Sequence, residues 1–297
     1  MKYSHLRRIT FADIIISVIL IGIALLCLIP ILNTIAISLS NKTPADLGIV
    51  FLWPIQFTPI AYMEMIKDSQ FFTSFGISVQ RVLEGATINV LITILMAYPL
   101  SKSKYVFKSR NKYMWFLLFT MLFNGGLVPT FLLITKLHMI NTMWSLILPG
   151  AVPVFNVLVL MNFFRDIPSS LEEAAYMDGA NPLYILWKIY VPLSLPAIAV
   201  ITLFSAVGHW NSFFDGLIYI NLTSKMPLQT YIQNLTVNVD WGQASNMSKE
   251  DLVRALTMSR TTFNAAKVIV SMLPLLVLYP FLQKYFVKGL TLGAVKE

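Results

Sequence analysis

Residues that could do chemistry are few and scattered along the chain. The three histidines are His5, His138 and His209, and Cys27 is the one cysteine. Their spacing fits neither a metal site nor a nucleophile with an adjacent base. The phosphate-binding pattern Gly-x-x-x-x-Gly-Lys-Ser/Thr is absent from the sequence as well. The sequence therefore predicts no catalytic residue, no metal site and no nucleotide site, and we do not expect an enzyme.

The composition is that of a membrane protein. Of 297 residues, 57% are hydrophobic and 12% are charged, and the mean hydropathy is +0.70. Soluble domains have about 45–50% apolar and about 25% charged residues. High hydrophobicity excludes disorder, and a single cysteine excludes a disulfide scaffold. The net charge of +8 is assigned to segments that face anionic lipid head groups rather than to nucleic-acid binding.

Six apolar runs are long enough to cross a bilayer, which takes about 20 residues of helix. The alternation of short strands that marks a membrane barrel is not visible, so the spans are predicted to be helical. Gly125-Gly126 and Pro129 interrupt the third run and predict a kink there. The six predicted spans are Phe11–Leu39, Ile77–Leu100, Tyr113–Leu133, Met143–Phe164, Leu195–Leu222 and Asn264–Tyr285.

Basic residues predict the orientation of these spans. Five of them lie within eleven residues after the second span, between Lys102 and Lys112. Positive charge is concentrated in cytoplasmic loops, so this loop and both chain ends are predicted to be cytoplasmic. The predicted protein is a multi-pass component of the plasma or inner membrane. Its predicted parts are a cytoplasmic N-terminus (1–10), a six-helix transmembrane domain (11–288) and a cytoplasmic C-terminal tail (289–297).

The segment between the fourth and fifth spans, residues 169–192, has the pattern of two short helices with a turn between them. Glu172 and Glu173 lie in the first turn of the first helix, near its positive dipole end. Gly179 permits a left-handed turn, and Asn181-Pro182 can start a second helix. A connector lying on the bilayer would carry more basic residues, whereas this segment has one basic and three acidic residues. We therefore expect a protein partner rather than lipid.

This segment resembles the coupling motif of permease subunits in binding-protein-dependent ABC importers. That motif has Glu-Ala-Ala, three residues, Gly, nine residues, Ile, one residue, a hydrophobic position and Pro. The spacing agrees throughout, and the one departure is Val191, where Leu is usual. The matching residues are Glu173, Ala174, Ala175, Gly179, Ile189, Val191 and Pro192.

Other stretches resemble the carbohydrate branch of that superfamily. Asp178-Gly179-Ala180 and Pro192–Pro196 are similar to sugar-importer permeases, and the tail Phe286–Glu297 is similar to that of the second maltose permease. The run Trp210–Asp215 looks like the lipo-oligosaccharide and polysaccharide-fragment permeases. We call residues 169–192 the coupling segment.

The resemblance implies a type I ABC importer permease fold, all-α with six transmembrane helices and a cytoplasmic coupling helix. It implies as partners a second homologous permease, two ATPase subunits, an extracellular or periplasmic solute-binding protein, an oligosaccharide substrate and the bilayer. ATP and Mg²⁺ would be bound by the ATPase, and this chain would bind no cofactor. The implied ATPase-coupling residues are Glu172, Glu173, Ala174, Ala175, Asp178, Gly179, Ile189 and Pro192, and the implied tail contacts are Gly289, Gly293 and Lys296.

Polar residues within the spans have two interpretations, which are hydrogen bonds between helices or a path for the sugar. In the predicted fifth span Asn211 and Asp215 are four residues apart and would share a helix face, and His209 and Ser212 would lie on an adjacent face. Sugars suit such a path, because hydroxyls pair with amides and carboxylates and rings stack on aromatic side chains. The candidate path residues are Trp210, Asn211, Ser212, Asp215 and Tyr219.

Charged residues near the outer ends of spans are candidates for buried charge pairs. Arg81 and Glu84 lie in the second span, Lys267 lies in the sixth, and Asp215 is also toward the outside. One interpretation is structural. The other is a cationic path for an acidic oligosaccharide.

Two alternative functions stay open at this point. The first keeps the ABC permease but changes the cargo to amino acids or peptides. The second is a secondary transporter acting alone, which should show an inverted hydropathy repeat. That repeat is not visible, and the second alternative would leave the pattern from Glu173 to Pro192 unexplained.

Overall fold

The structure, a computed structural model, describes residues 11–237, 259–274, 276 and 277. In this part of the chain all regular secondary structure is helical, which confirms the all-α prediction. The predicted cytoplasmic N-terminus and C-terminal tail lie outside the described residues. The chain divides into two compact units, one of Met1–Asp68 with Val239–Ser271 and one of Ser69–Asn238 with Met272–Glu297.

The first unit begins with α1 (Phe11–Ser38), which follows the predicted first span closely. Its apolar side chains point in all directions, and those from Phe11 to Leu28 are mostly exposed. A helix that is apolar all round belongs in an apolar environment such as a bilayer. The other described helices of this unit are α2 (Lys42–Asp46), α3 (Ile60–Lys67) and residues 260–274.

A polar contact ties the last of these helices to α2 within the first unit. The Ser259 hydroxyl donates to the Asp46 carboxylate at 2.6 Å. Ser259 also caps its own helix, because its Oγ accepts from the backbone N–H of Thr262 at 3.2 Å. One serine thus serves both the helix end and the contact with α2.

The second unit contains most of the described helices. In chain order they are α4 (Ser69–Ser101), α5 (Arg110–Leu122), α6 (Leu127–Lys136), α7 (Met143–Ile147), a 3-10 turn (Leu148–Gly150), α8 (Val154–Arg165), α9 (Ser169–Met177), α10 (Pro182–Ile185), a π-helical turn (Leu186–Tyr190), α11 (Val191–Leu193), α12 (Leu195–Asn211), α13 (Phe214–Tyr219), a 3-10 turn (Thr223–Lys225) and α14 (Leu228–Val237).

Helix α4 is the centre of the second unit. On its buried face it packs against α8 and α12. Small residues on such faces let helices approach closely in membrane proteins. Gly85 illustrates this, because a Cβ at that position would lie 2.5 Å from Nε2 of His209 on α12. The small and polar residues of the buried face are Ser74, Ser78, Gly85, Ala86, Asn89, Thr93 and Ala97.

Several predicted spans are broken in the structure. The predicted third span consists of α5 and α6, which meet at 108°, and Gly126 at the break has a φ of +91°. This is the kink expected from the glycine pair. The predicted fourth span is also bent, by 50°, between Gly150 and Val154. The helix of the predicted fifth span ends at Asn211 and does not continue to Leu222.

The number of spans can be compared with the six predicted. Among the residues that the structure describes, the helices Asp13–Ser38 and Ser69–Ser101 are long and apolar enough to cross a bilayer. Counting each of three bent helix pairs as one span gives up to five. The predicted sixth span is described only as far as residue 277. Six spans therefore stay a prediction.

The apolar core of the second unit lies where the coupling segment returns to the bundle. Buried side chains of α4, α8 and α12 meet there with those of α10 and the π-helical turn. This core fixes the second arm of the coupling segment to three long helices. Its members include Ile94, Ala97, Val157, Leu160, Phe164, Ile185, Leu186, Tyr190 and Ile201.

Candidate functional site

The coupling segment has two helical arms joined by a tight turn. The first arm is α9, and Gly179 follows it with a φ of +78°, which glycine adopts readily. The Asn181 side chain then caps α10 by accepting from the backbone N–H of Tyr184 at 2.8 Å. Residues 182–193 meet α12 at 84°. The second arm therefore runs nearly at right angles to the helix of the fifth span.

The two arms differ in burial. Helix α9 has no buried residue, whereas Ile185, Leu186 and Tyr190 of the second arm are buried. Of the predicted coupling residues, Glu173, Ala174, Asp178, Gly179 and Pro192 are exposed, and Glu172, Ala175 and Ile189 are half-buried.

Large apolar side chains surround these exposed acidic and small residues. Met177 is 89% exposed, and Tyr176, Leu183, Tyr184 and Trp187 are each more than 40% exposed. A contiguous set of exposed apolar residues is typical of a site for a protein or membrane partner. The coupling segment therefore has an exposed surface that could bind the partner that the sequence predicts there.

Glu172 points away from this surface and forms a polar network. Its Oε1 lies 2.6 Å from the Lys102 ammonium, and its Oε2 accepts from the Tyr190 hydroxyl at 2.7 Å. Lys102 also donates to that hydroxyl at 3.0 Å, and it lies about 4 Å from the ring centroids of Tyr98 and Tyr190. We call Lys102, Glu172 and Tyr190 the anchor.

Burial shifts the pKa of two anchor residues, Lys102 and Tyr190. It lowers the pKa of Lys102, and the neighbouring Glu172 carboxylate opposes that shift. Burial, followed by the hydrogen bond to Glu172, raises the pKa of Tyr190 well above the ordinary value. Tyr190 therefore stays protonated, and its hydroxyl donates a hydrogen bond to Glu172. Sequence reasoning used Lys102 only as a mark of orientation and did not single out Tyr190.

A second polar network lies near the middle of α4. Arg81 forms a two-pronged ion pair with Asp215, with Nη1 3.2 Å from Oδ1 and Nη2 in contact with Oδ2. Arg81 also donates to the carbonyl oxygens of Ser212 and Leu146 at 3.3 and 3.4 Å. The Ser212 hydroxyl and the Gly216 N–H both donate to Asp215 at 2.9 Å. We call Arg81, Ser212 and Asp215 the outer cluster.

The outer cluster borders a cavity of about 450 Å³ in the second unit, which is lined by both polar and apolar residues. The Asn156 amide donates to the Ser205 hydroxyl at 3.3 Å across α8 and α12, within this cavity lining. Asn89, Asn156 and Ser205 were missed by the sequence analysis, although polar residues inside apolar runs are a signal for them. The polar lining residues are Arg81, Asn89, Ser145, Asn156, Ser205, His209, Ser212, Asp215 and Tyr219.

The predicted path residues do not act as one group. Ser212, Asp215 and Tyr219 line the cavity. Trp210 is buried and packs edge-on to Phe75 at 5.6 Å, and Asn211 is exposed. The expectation that Asn211 and Asp215 share a helix face is wrong, because α12 ends at Asn211 and α13 starts a new axis at Phe214.

The other candidate charges have different neighbours. Glu84 accepts from the Gln80 side chain at 2.8 Å rather than from Arg81. In the first unit Lys267 is fully buried, and its ammonium lies 3.3 Å from Asp68 and 4.0 Å from the Phe263 ring centroid. The structure therefore places carboxylates beside Arg81 and Lys267. The predicted tail contacts Gly289, Gly293 and Lys296 lie outside the described residues.

Comparison with known proteins adds to this geometry. Residues 85–292 match the family described as binding-protein-dependent transport system inner membrane components. The chain is 38% identical over 284 residues to the polygalacturonan/rhamnogalacturonan transport system permease protein YtcP of Bacillus subtilis, covering 96% of this chain and 98% of that protein. It is 37% identical over 275 residues to protein LplC of the same organism, covering 93% and 91%.

A solved structure is similar along almost the whole chain. It is a chain of a bacterial ABC transporter involved in the import of the acidic polysaccharide alginate. The sequence identity is 33% and the TM-score is 0.82, and the match covers 93% of this chain and 98% of that one. The family match at residues 85–292 includes the coupling segment and also Ser212 and Asp215 of the outer cluster.

Proposed function

Because the chain belongs to the family of inner membrane components of binding-protein-dependent transport systems, we propose that it is one of two permeases that together form the path of an ATP-driven oligosaccharide importer. A solute-binding protein outside the membrane delivers the substrate, and two ATPase subunits bind below. The chain is a permease and not an enzyme. Membership of this family is not consistent with a secondary transporter acting alone.

The exposed first arm of the coupling segment is the observation that carries the proposal. Helix α9 has no fully buried residue, and it presents Glu173 among large apolar side chains. A cleft in an ATPase subunit can bind such a helix through apolar contact and charge. The second arm is held in the core with α4, α8 and α12. Movement of α9 with the ATPase is therefore transmitted to the bundle.

The position of the anchor supports the proposed orientation. Lys102 belongs to the basic stretch that predicts a cytoplasmic loop, and it contacts Glu172 of the coupling segment. The basic loop and the coupling segment thus lie at the same end of the second unit. A cytoplasmic location for one is therefore a cytoplasmic location for both. The six predicted spans would put both chain ends on that side, and we include this in the proposal.

The proposed cargo is an oligosaccharide that includes uronic acids. The similar permease from Bacillus subtilis is named for polygalacturonan and rhamnogalacturonan, and the similar structure is from an alginate importer. Arg81 is paired with Asp215, so it contributes little uncompensated charge to a path for acidic sugars. We therefore assign Arg81 to positioning and assign recognition of acidic groups to the binding protein and the second permease.

The experiment alters the exposed arm of the coupling segment. Ala174→Arg places a long charged side chain on α9 where the small alanine is exposed. The control is Tyr105→Arg, which adds the same charge at a position that is 94% exposed and outside the segment. We expect Ala174→Arg to reduce ATPase co-purification and uptake of labelled oligogalacturonate at least tenfold, and the control to match the wild type. Unchanged ATPase binding in Ala174→Arg would contradict the proposal.

A further inference from the structure

Two adjacent glutamates of the coupling segment face in different directions. Glu173 is exposed, whereas the Glu172 side chain is 15% exposed and lies against Lys102. Neighbouring residues on a helix differ by about 100° in direction, so they cannot serve the same surface. Glu173 is therefore available to a partner, and Glu172 is engaged within its own chain.

The Lys102 ammonium lies in an enclosure formed by groups that attract a cation. Its side chain is 10% exposed, and it contacts a carboxylate, a hydroxyl and the faces of two tyrosine rings. Ring faces attract cations, and they do so more strongly when water is excluded. Removal of one partner of such a buried pair leaves the other charge uncompensated. The enclosure thus favours one arrangement of Lys102 and Glu172.

The anchor joins three separate parts of the second unit. Lys102 directly follows α4, Glu172 lies in the first turn of α9, and Tyr190 ends the π-helical turn of the second arm. The Tyr190 ring packs edge-on to Tyr98 of α4 and Phe164 of α8, with centroids 5.0 and 5.3 Å away. Tyr190 is therefore fixed by the core, and it holds Glu172 in place.

We propose that Lys102, Glu172 and Tyr190 are positioning residues that fix the exposed arm of the coupling segment to α4, so that displacement of α9 by the ATPase moves α4. This inference rests on the proposed function. It assigns the two acidic residues separate tasks, because Glu173 faces the motor and Glu172 faces the permease. Besides the anchor, the partly buried Ala175 and Ala180 of α9 and its turn pack against the core, and Tyr176 of α9 lies near Tyr98 of α4.

The test measures coupling in the intact transporter with both permeases, the ATPase and the binding protein. Glu172→Gln removes the carboxylate charge beside Lys102, and Tyr190→Phe removes the hydroxyl that accepts from Lys102 and donates to Glu172. Both variants keep the shape of the side chain. We expect ATPase co-purification to stay at the wild-type level and the number of oligogalacturonate molecules imported per ATP hydrolysed to fall about tenfold. The double variant Lys102→Glu with Glu172→Lys restores opposite charges and should recover part of that ratio.

The outcomes separate this inference from the proposed function. Loss of the ATPase from Glu172→Gln would show that Glu172 faces the motor, and an unchanged transport-to-hydrolysis ratio in both single variants would show that the anchor carries no motion. Either result overturns the inference. The proposed function is tested by a different variant. It fails if the Ala174→Arg variant keeps the ATPase bound.

Discussion

Two ion pairs of different chemistry hold α4, one near its middle and one just after its last residue. Near the middle the planar guanidinium of Arg81 bonds Asp215 through two prongs and also donates to two backbone carbonyls. After the last residue the Lys102 ammonium meets Glu172 through one short contact and lies over two aromatic rings. A guanidinium fork fixes direction, whereas an ammonium keeps its attraction while it rotates.

This difference concerns how strongly each ion pair fixes the direction of the helix that it joins to α4. The outer cluster fixes α13 to α4 in one geometry, because each of its polar contacts has a preferred direction. The anchor also holds α9 close to α4, but through an ammonium whose contacts are less directional. The contact that is proposed to receive motion is therefore the less directional of the two.

The largest expected effect comes from removing the outer carboxylate. In Asp215→Asn the guanidinium of Arg81, which is 2% exposed, is left as a buried charge without its counterion. We expect a loss of about 3–5 kcal/mol in stability, measured as thermal unfolding of the purified protein in detergent. Glu84→Gln is the control, because Glu84 contacts only the Gln80 side chain among the described hydrogen bonds. An effect of Asp215→Asn no larger than that of Glu172→Gln would break the comparison.

A smaller effect is expected where α4 must stay close to α12 between its two ends. In Gly85→Ala the new Cβ would meet the His209 ring at 2.5 Å. Overpacking of this kind costs about 1–3 kcal/mol, again measured by thermal unfolding. Gly76→Ala on the same helix is the control, since nothing lies within 4 Å of the Cβ it would add. Equal behaviour of the two variants would show that α4 and α12 separate easily.

The smallest effect is a dependence on pH to which Lys102 of the anchor contributes. Burial lowers the pKa of Lys102 below the ordinary 10.5, so the unfolded chain binds this proton more tightly than the folded chain. Stability contributed by this group therefore rises with pH between the lowered pKa and 10.5. The pH dependence of unfolding should be flatter in Lys102→Met over that range. Arginine does not titrate there, and Arg81→Met should keep the wild-type slope.

The sequence predicted those features that depend on local pattern. The coupling segment was found because glycine, proline and acidic residues occur at fixed spacing, and Gly125-Gly126 predicted the break between α5 and α6. In both cases the responsible residues are neighbours in the chain. Backbone preferences of glycine and proline act at that range.

The sequence named Arg81 and Asp215 among the charges that could form buried pairs, but it could not give which charges meet. Arg81 and Asp215 are 134 positions apart, and Lys102 and Glu172 are 70 positions apart. Which charges meet is decided by helix packing, and no spacing rule gives it. The sequence also did not predict that α12 ends at Asn211. The apolar run continues beyond this residue, and the next glycine that could mark a helix end is Gly216. The assignment of a shared face to Asn211 and Asp215 failed with it.

The sharp bend between α5 and α6 indicates where this part of the chain is not in contact with lipid tails. Residues 123–126 belong to neither helix, and the Asn124 side chain accepts from the Gly126 N–H at 2.9 Å. Irregular backbone is not stable against lipid tails, and it needs water or protein beside it. The bend therefore marks a depth at which the chain is wetted or covered by a neighbour.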